Sequence, residues 1–287
     1  MSVDLMRPSS ARIHAPTTAA NNSCVLTLFV VRTPPSSSSC PSPSHPASRS
    51  IDWVQDTAAA TTKWGDIGDW DVSGVADFSY AFSHDRDETG GSYSDGGNPK
   101  AATYVGSDLS KWKTTALTSL AHTFNEAAAM NSDLSGWNVA KVATLDSTFR
   151  GASKFAGTGL ASWAGWDTIS VTSLSYTFYK ASEMNADLAG WKVGKVVTLR
   201  RVFDGASKFA GMGLSSWNVA KVTDMANTFN SATSISACSK RQIADSWAVQ
   251  NLAQFESAVN TGYQTQWAAD ACPPLNDATF KQASWGT

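Results

Sequence analysis

The sequence predicts an α/β solenoid of about six turns, each made of a short strand and a short helical arm. Two observations lead to this fold class. Residues 134–163 (LSGWNVAKVATLDSTFRGASKFAGTGLASW) return 54 positions later as residues 188–217 (LAGWKVGKVVTLRRVFDGASKFAGMGLSSW), with twenty of thirty positions identical. A Trp followed by a Phe twelve residues later also recurs along the chain, mostly every 25 or 26 residues. Such self-similarity is typical of a solenoid, in which each unit buries its apolar face against its neighbours.

Six pairs of a Trp and a Phe set the repeat frame. They are Trp70 with Phe82, Trp112 with Phe124, Trp137 with Phe149, Trp166 with Phe178, Trp191 with Phe203, and Trp217 with Phe229. We expect these twelve aromatic side chains to form the packed core, because burying a large apolar side chain is worth about 1.5–3 kcal/mol. The alternative, an aromatic platform for carbohydrate, is less compatible with the Leu and Val residues at core spacing beside them.

The spacing inside one unit predicts its secondary structure. Val142, Leu145, Phe149 and Ala152 recur at intervals of three and four, which places them on one face of a short helix. Residues 134–137 are too short and too rich in Ser and Gly for a helix, so we interpret them as a short strand. Stacked units would align these strands into a narrow parallel sheet, as in a leucine-rich-repeat-like coil.

Composition changes divide the chain into four parts. Residues 1–50 are a low-complexity leader predicted to be disordered, and a short apolar run within it weakly resembles a signal peptide. Residues 51–66 are predicted to be an N-terminal cap. Residues 67–237 hold the repeats, interrupted by a polar, Gly-rich loop at 83–104. Residues 238–287 are predicted to form a C-terminal cap with one or two helices.

Charge and hydropathy exclude two broad classes of function. The formal net charge is −2, which argues against a nucleic-acid-binding protein. No run of about 18 apolar residues occurs, so the sequence predicts no transmembrane segment.

The four cysteines are too few for a disulfide-rich scaffold. Cys24 and Cys40 lie in the leader, whereas Cys238 and Cys272 bracket the C-terminal part. A Cys238–Cys272 disulfide is expected if the protein reaches an oxidising compartment, and two buried thiols are the alternative.

Motifs that carry catalysis are absent from the sequence. There is no Gly-x-Ser-x-Gly, His-Glu-x-x-His or Gly-x-x-x-x-Gly-Lys, and the repeats contain only the isolated His84 and His122. The acidic stretch from Asp85 to Asp95 lacks the fixed spacing of a Ca²⁺ loop, so we interpret it as solvated. We therefore expect no enzymatic activity, no cofactor and no metal.

The repeat unit resembles the repeat of a known family. The unit DLSGWNVAKVATLDSTFRGASKF is similar to the roughly 26-residue repeat of BspA-like surface proteins, a leucine-rich-repeat-related family whose repeat domain has no assigned function. The likeness covers about residues 51–287. The opening WVQDTAAATTKWGDIGDWDVS and the tail with CPPLNDATFKQASW resemble versions from marine algae. The resemblance implies a cell-surface or secreted interaction protein and carries over no catalytic residue.

These observations together favour a monomeric, non-enzymatic module for protein–protein interaction or adhesion, with an unknown protein or glycan as ligand. A structural spacer within a larger surface protein and a carbohydrate-binding module are the alternatives. Small residues between Leu and Trp, such as Ala189-Gly190 and Ser215-Ser216, would leave one face of the repeats flat and open to a partner.

Trp163 marks one break in the frame. An insertion places it three residues before Trp166, and only Trp166 lies twelve residues before Phe178. We expect Trp166 to occupy the core column and Trp163 to be displaced toward the surface. An exposed Trp there is a speculative binding contact, because Trp is enriched at binding hot spots.

Overall fold

A computed structural model describes residues 54–86, 97–106, 109–161, 168–257, 263–269 and 272. Its α-helices are α1 (Thr57–Trp64), α2 (Ala237–Phe255) and α3 (Tyr263–Ala268). Short 3₁₀ helices occur at Ile67–Asp69, Pro99–Thr103, Leu109–Lys111, Thr168–Ser170 and Leu214–Ser216. Over the residues described, no helix combines the length and apolar character needed to cross a membrane.

The predicted α/β solenoid of strand-plus-helix turns is wrong. Between α1 and α2, the described residues contain neither a β-strand nor an α-helix. Successive repeat units do stack, but each β pairing between them is a single isolated parallel bridge. The bridges join Asp77 to Ser119, Ser119 to Thr144, Thr144 to Ser173, Ser173 to Thr198, and Thr198 to Asp224. One paired residue per unit is too little for a sheet.

The segment predicted to be a strand, residues 134–137, is a tight turn. The backbone N–H of Trp137 donates to the carbonyl of Leu134 at 3.1 Å, which closes an i to i+3 turn. The same bond closes the equivalent segments, from Trp112 to Leu109, Trp191 to Leu188 and Trp217 to Leu214. A chain that folds back every three residues cannot extend as a strand.

The segment predicted to be a helical arm is a series of β-turns. Val142, Thr148 and Ala152 donate their N–H groups to the carbonyls three residues earlier, at 2.8–3.1 Å. Ser147 and Gly151, the third residues of the last two turns, have φ of 53° and 69°. A positive φ at that position is required by type II turns and is incompatible with a right-handed helix. The residues equivalent to Ser147 share it: Tyr80, His122, Tyr176, Arg201 and Asn227.

The six Phe residues of the frame are therefore placed differently from the prediction. The sequence assigns them to helical arms, whereas the structure places every one of them in a turn. They nevertheless point inward, and none is more than 5 % exposed. These residues are Phe82, Phe124, Phe149, Phe178, Phe203 and Phe229.

Backbone hydrogen bonds still tie each unit to the next. In one unit, alternate N–H groups from Leu145 to Gly151 donate to alternate carbonyls from Ser173 to Tyr179, at 2.7–3.2 Å. The N–H groups of Thr148 and Arg150 bond within their own unit instead. The backbone is thereby satisfied by turns and by its neighbour without extended strands.

Two aromatic columns form the core. In the Phe column, which runs from Phe82 through Phe203 to Phe229, successive rings stack with centroids 5.5–5.9 Å apart and planes within 11° of parallel. In the Trp column beside it, Trp112 stacks on Trp137, and Trp191 stacks on Trp217. All of these rings are buried, whereas Trp70 is partly buried and packs against the core. Trp166, expected in the same column, lies outside the described residues.

The C-terminal cap continues the Trp column. Ser236 caps α2 by accepting a hydrogen bond from the N–H of Ser239 at 3.0 Å. Trp247 within α2 is fully buried and stacks on Trp217 with a centroid distance of 6.2 Å. Cys238, at the start of α2, forms a disulfide with Cys272. The helix therefore covers the last unit and is covalently held to the chain that follows it.

Candidate interaction surface

Four of the Trp residues predicted to form the core are buried too deeply to bind a ligand. Trp112, Trp137, Trp191 and Trp217 are at most 4 % exposed. This excludes an aromatic carbohydrate platform built from these four indoles. Trp163 lies outside the described residues, so its role as a binding contact stays a prediction.

The small residues beside Trp191 line an open groove of about 680 Å³. Ala189 and Gly190 form one wall and Ser216 belongs to the next unit, while Lys192 and Lys195 place positive charge at the groove. We call this the Trp191 groove. It coincides with the face that the sequence predicts to be flat and open.

A second groove, of about 450 Å³, lies at the equivalent place beside Trp70. Its lining includes Asp69 and Asp71 from one unit and Lys111 and Lys113 from the next, with Lys111 4.0 Å from Asp69. Two grooves at the same repeat position follow from the way the units stack. Their charges differ, but their shape is a property of the repeat.

Another surface becomes visible when the ten differences between the two similar copies are compared. Three neighbouring differences change charge: Asp146 becomes Arg200, Ser147 becomes Arg201, and Arg150 becomes Asp204. They flank the Phe of each unit, and the buried residues Val142, Leu145 and Phe149 have identical counterparts. The identities between the two copies reveal the core, whereas the differences reveal this surface.

The turn geometry brings these variable side chains together. Arg150, Tyr179 and Asp204 each follow the core Phe directly, so they lie one above another on successive units. Arg201 and Tyr176 precede the Phe by two residues, at the position with positive φ. Both positions therefore meet on one side of the Phe column.

Tyr179 is the centre of this arrangement. The guanidinium carbon of Arg150 lies 5.8 Å from the Tyr179 ring centroid, Lys180 Nζ lies 5.1 Å away, and the guanidinium carbon of Arg201 lies 5.9 Å away. These are cation–π distances. The Tyr176 ring stands edge-on at 5.6 Å. We call these five residues the Tyr179 cluster.

Two neighbouring arginines are held by partners within the protein. Arg201 donates to Asp204 at 3.1 Å, and Asp204 also accepts from Asn230 at 2.9 Å. Arg200 donates from Nε to the Tyr176 hydroxyl at 3.3 Å and lies 3.7 Å from Asp224. The hydrogen bond with Tyr176 raises the pKa of Arg200. These contacts fix the positions of Arg201 and Tyr176.

Arg150 and Lys180 are held less tightly. The closest carboxylate to Arg150 is that of Glu126, at 3.9 Å, which is too long for a hydrogen bond. Arg150 Nε and Arg201 Nε are both buried without a hydrogen-bond partner, so the two arginines differ in the ion pairs of their terminal nitrogens. Across the described part of the chain, Lys180 has no carboxylate within 4.0 Å. The cluster thus presents two cations with unused hydrogen-bond donors.

His122 lies on the same side of the Phe column, one unit before Arg150. Its ring stacks on Tyr80 with a centroid distance of 4.7 Å and planes 7° apart. Its Nδ1 is buried without a partner, and burial lowers the pKa of its imidazole. Within the described residues, no group of three or more His, Cys, Asp or Glu side chains could hold a metal ion.

This architecture defines a repeat protein in which stacked β-turn units present variable side chains over a repeated core. The chain belongs to the family described as "Mycoplasma protein of unknown function, DUF285", whose model matches residues 53–165 and 160–269. The two matches together span the described repeats. No curated protein and no solved structure matches the chain.

Proposed function

We propose that this protein is a non-enzymatic, cell-surface or secreted repeat module that mediates protein–protein interaction or adhesion. The observation that carries the proposal is the charge change around the Phe column. Leu145 and Phe149 of one unit are matched by identical residues in the other copy. Beside them, the partly exposed Asp146 becomes the partly exposed Arg200, and the partly exposed Arg150 becomes Asp204, which is buried and bonded to Arg201. A spacer needs only the core, whereas a binding surface needs side chains that differ from one unit to the next.

The composition of the Tyr179 cluster also supports a binding role. Tyr and Arg are enriched at the residues that dominate protein–protein affinity. Tyr176 and Tyr179 are partly exposed, and Arg150 and Lys180 lie beside them. Large rings held in place by neighbouring units can bind a partner without a large loss of side-chain entropy.

An extracellular location is supported by the cysteines. Cys238 and Cys272 have Cα atoms 4.5 Å apart, within the range for a disulfide. Disulfides persist mainly in oxidising compartments.

We also propose that the chain is an algal-type BspA-like protein. The motifs at the beginning and at the end of residues 51–287 support this proposal.

The function can be tested by capture with a matched surface swap. Full-length protein is biotinylated, incubated with intact cells of its source, crosslinked and recovered, and partners are identified by mass spectrometry. The test variant carries Arg200→Asp and Arg201→Ser, which are the residues of the other copy at positions 146 and 147. The control carries Lys141→Asn and Lys221→Asn, two exposed lysines away from the Phe column.

We expect the wild type and the lysine control to recover the same partner and the surface swap to lose it. If all three recover no enriched protein, the interaction function is contradicted and the spacer alternative gains support. If the swap recovers the partner as well as the wild type does, Arg200 and Arg201 are not part of the binding surface.

A further inference from the structure

We infer that the Tyr179 cluster binds a carboxylate-rich segment of a protein partner, with Arg150 and Lys180 as the carboxylate-binding groups. This inference deepens the proposed interaction function and rests on it. It names the chemistry of the partner and the two side chains that recognise it.

Two of the cationic side chains in the cluster are available to a partner. Arg201 is bonded to Asp204, and Asp204 is buried and bonded to Asn230 as well. That ion pair is closed, and its charges cancel within the protein. Arg150 instead has only Glu126 at 3.9 Å, and Lys180 has no carboxylate within 4.0 Å in the described residues. The accessible charge of the cluster is therefore positive.

The stacked units place these two cations around one ring. Arg150 and Lys180 belong to successive units, and both lie within 6 Å of the Tyr179 ring centroid. Their side chains are intermediate in exposure and exposed, respectively. A guanidinium has donors arranged to bind a carboxylate through two hydrogen bonds, and an ammonium binds as a point charge. Two carboxylates on one chain segment would therefore be bound around a single tyrosine.

A glycine in the next unit keeps the space beside Lys180 open. Position 205 in the next unit is glycine with φ of 78°. A Cβ there would lie 3.3 Å from both Cα and Cγ of Lys180. Glycine at 205 thus permits the turn and leaves the Lys180 side chain unobstructed by its neighbour.

A protein partner fits this surface better than a polysaccharide. The Tyr176 and Tyr179 rings meet edge-on at 72°, and cations already lie over Tyr179. The cluster therefore lacks an open aromatic face on which a sugar ring could stack. Partly exposed ring edges beside arginine match the aromatic and Arg enrichment of protein interfaces.

The experiment measures direct binding of defined probes to the full chain by fluorescence anisotropy. The probe is a fluorescein-labelled peptide of alternating Glu and Leu, ten residues long. Its neutral counterpart has Gln in place of Glu, and a labelled galacturonic acid decamer supplies carboxylates on a saccharide. The test variant is Arg150→Gln with Lys180→Gln, and the control is Lys141→Gln with Lys221→Gln, which changes net charge equally. Circular dichroism and urea unfolding verify that both variants fold.

We expect saturable binding of the Glu/Leu peptide, at least tenfold weaker binding by the test variant, and a change below twofold in the control. Glu126→Gln should tighten binding, because it removes the carboxylate that competes for Arg150. A merely structural role of Arg150 would not produce this gain.

Three outcomes would overturn the inference: equal binding of the Gln/Leu peptide, equal weakening by the test and control variants, or binding of the saccharide but not of the peptide. Absence of saturable peptide binding at about 1 mM would do so as well. If the capture experiment recovers a partner that depends on Arg200 and Arg201 while the acidic peptide fails to bind, the interaction function survives and only the acidic chemistry is lost.

Discussion

The indole N–H of Trp217 donates a 3.0 Å hydrogen bond to the carbonyl of Leu188, three residues before the Trp of the preceding unit. The same relationship recurs from Trp112 to Ile67, Trp137 to Leu109 and Trp247 to Leu214, at 2.8–2.9 Å. Trp191 donates to Leu160 at 3.5 Å, and the insertion at residues 163–165 places Leu160 six residues before Trp166. Each Trp thus fills the core of its unit and satisfies a carbonyl of its neighbour. The repeat needs Trp, and not another large apolar residue, because only Trp offers both.

Two substitutions at Trp217 separate the contribution of the indole hydrogen bond from that of core packing. Trp217→Phe should lower the free energy of unfolding by about 0.5–1.5 kcal/mol, because the Leu188 carbonyl loses the indole N–H and keeps only the backbone N–H of Trp191. Trp217→Ala should cost about 3–5 kcal/mol, because it also leaves a cavity. Urea unfolding of both variants, with Lys221→Ala as the surface control, measures the difference. A Phe variant as stable as the wild type would show that the indole hydrogen bond contributes nothing.

The secondary structure of the repeat could not be predicted from spacing alone. Residues such as Val142, Leu145 and Phe149 recur at intervals of three and four, and successive β-turns produce the same intervals as a helix. The two structures differ in the sign of φ at positions such as Ser147. Ser, Tyr and Arg occupy four of these six positions, and they do not indicate a positive φ as Gly does; Asn227 and His122 are of types enriched there but occur only once each. Hydrogen bonds from the next unit impose it.

The buried residues of the stack could be predicted from the sequence, whereas the arrangement of its surface residues could not. Residues that recur in the frame, such as Phe124 and Phe203, are the ones that lie inside, since the same volume must be filled in every unit. The sequence places Trp247 in a cap helix, but it does not reveal that Trp247 continues the Trp column, because α2 interrupts the spacing that identifies the column. The Tyr179 cluster was missed because its residues do not repeat, and their proximity depends on how the turns stack.

A buried Thr hydroxyl reinforces the contact between units. Thr148 Oγ1 lies 2.9 Å from the carbonyl of Leu120 and 2.8 Å from that of Leu145, and it is fully buried. In the other copy this position is Val202, also fully buried. Reciprocal substitutions therefore test one hydroxyl in two nearly identical environments.

Thr148→Val should destabilise the fold by about 1 kcal/mol, and Val202→Thr should stabilise it by a similar amount or less, because a net hydrogen bond is lost or gained. The double variant should be close to the wild type, since the two sites lie in different units. Thermal and urea unfolding would check both values. The two substitutions must change the free energy of unfolding in opposite directions. If both lower it, then the shape of the side chain at each site, and not the hydroxyl, determines stability.

The disulfide between Cys238 and Cys272 closes 34 residues around the C-terminal cap. In the chain-entropy model such a loop contributes about 3–4 kcal/mol. Cys238→Ser should therefore lower the melting temperature of oxidised protein markedly and should make it insensitive to dithiothreitol. Peptide mass spectrometry of the wild type should find the two cysteines in one linked fragment. Two free thiols in secreted protein would contradict both the bond and the oxidising compartment.

The stability of the fold should depend on pH through His122. Burial lowers the pKa of its imidazole below the ordinary 6.5, while Asp85 and Asp146 act in the opposite direction and Arg150 in the same direction. The unfolded chain therefore takes up a proton at higher pH than the folded chain does. The neutral imidazole makes its full contribution to the free energy of unfolding above about pH 6.5. This contribution falls as the pH drops through and below that value.

The substitution that tests this is His122→Asn, because Asn tolerates the φ of 56° at this position. Melting temperatures at pH 7.5, 6.5 and 5.5 should decrease in the wild type, and the decrease should be smaller in the variant. His84→Asn provides the control, since His84 is the other histidine of the repeats and is hydrogen-bonded to Asp85 at 3.3 Å. If the control flattens the profile as much as His122→Asn does, or if neither changes it, protonation of the stacked His122 ring does not govern stability in this range.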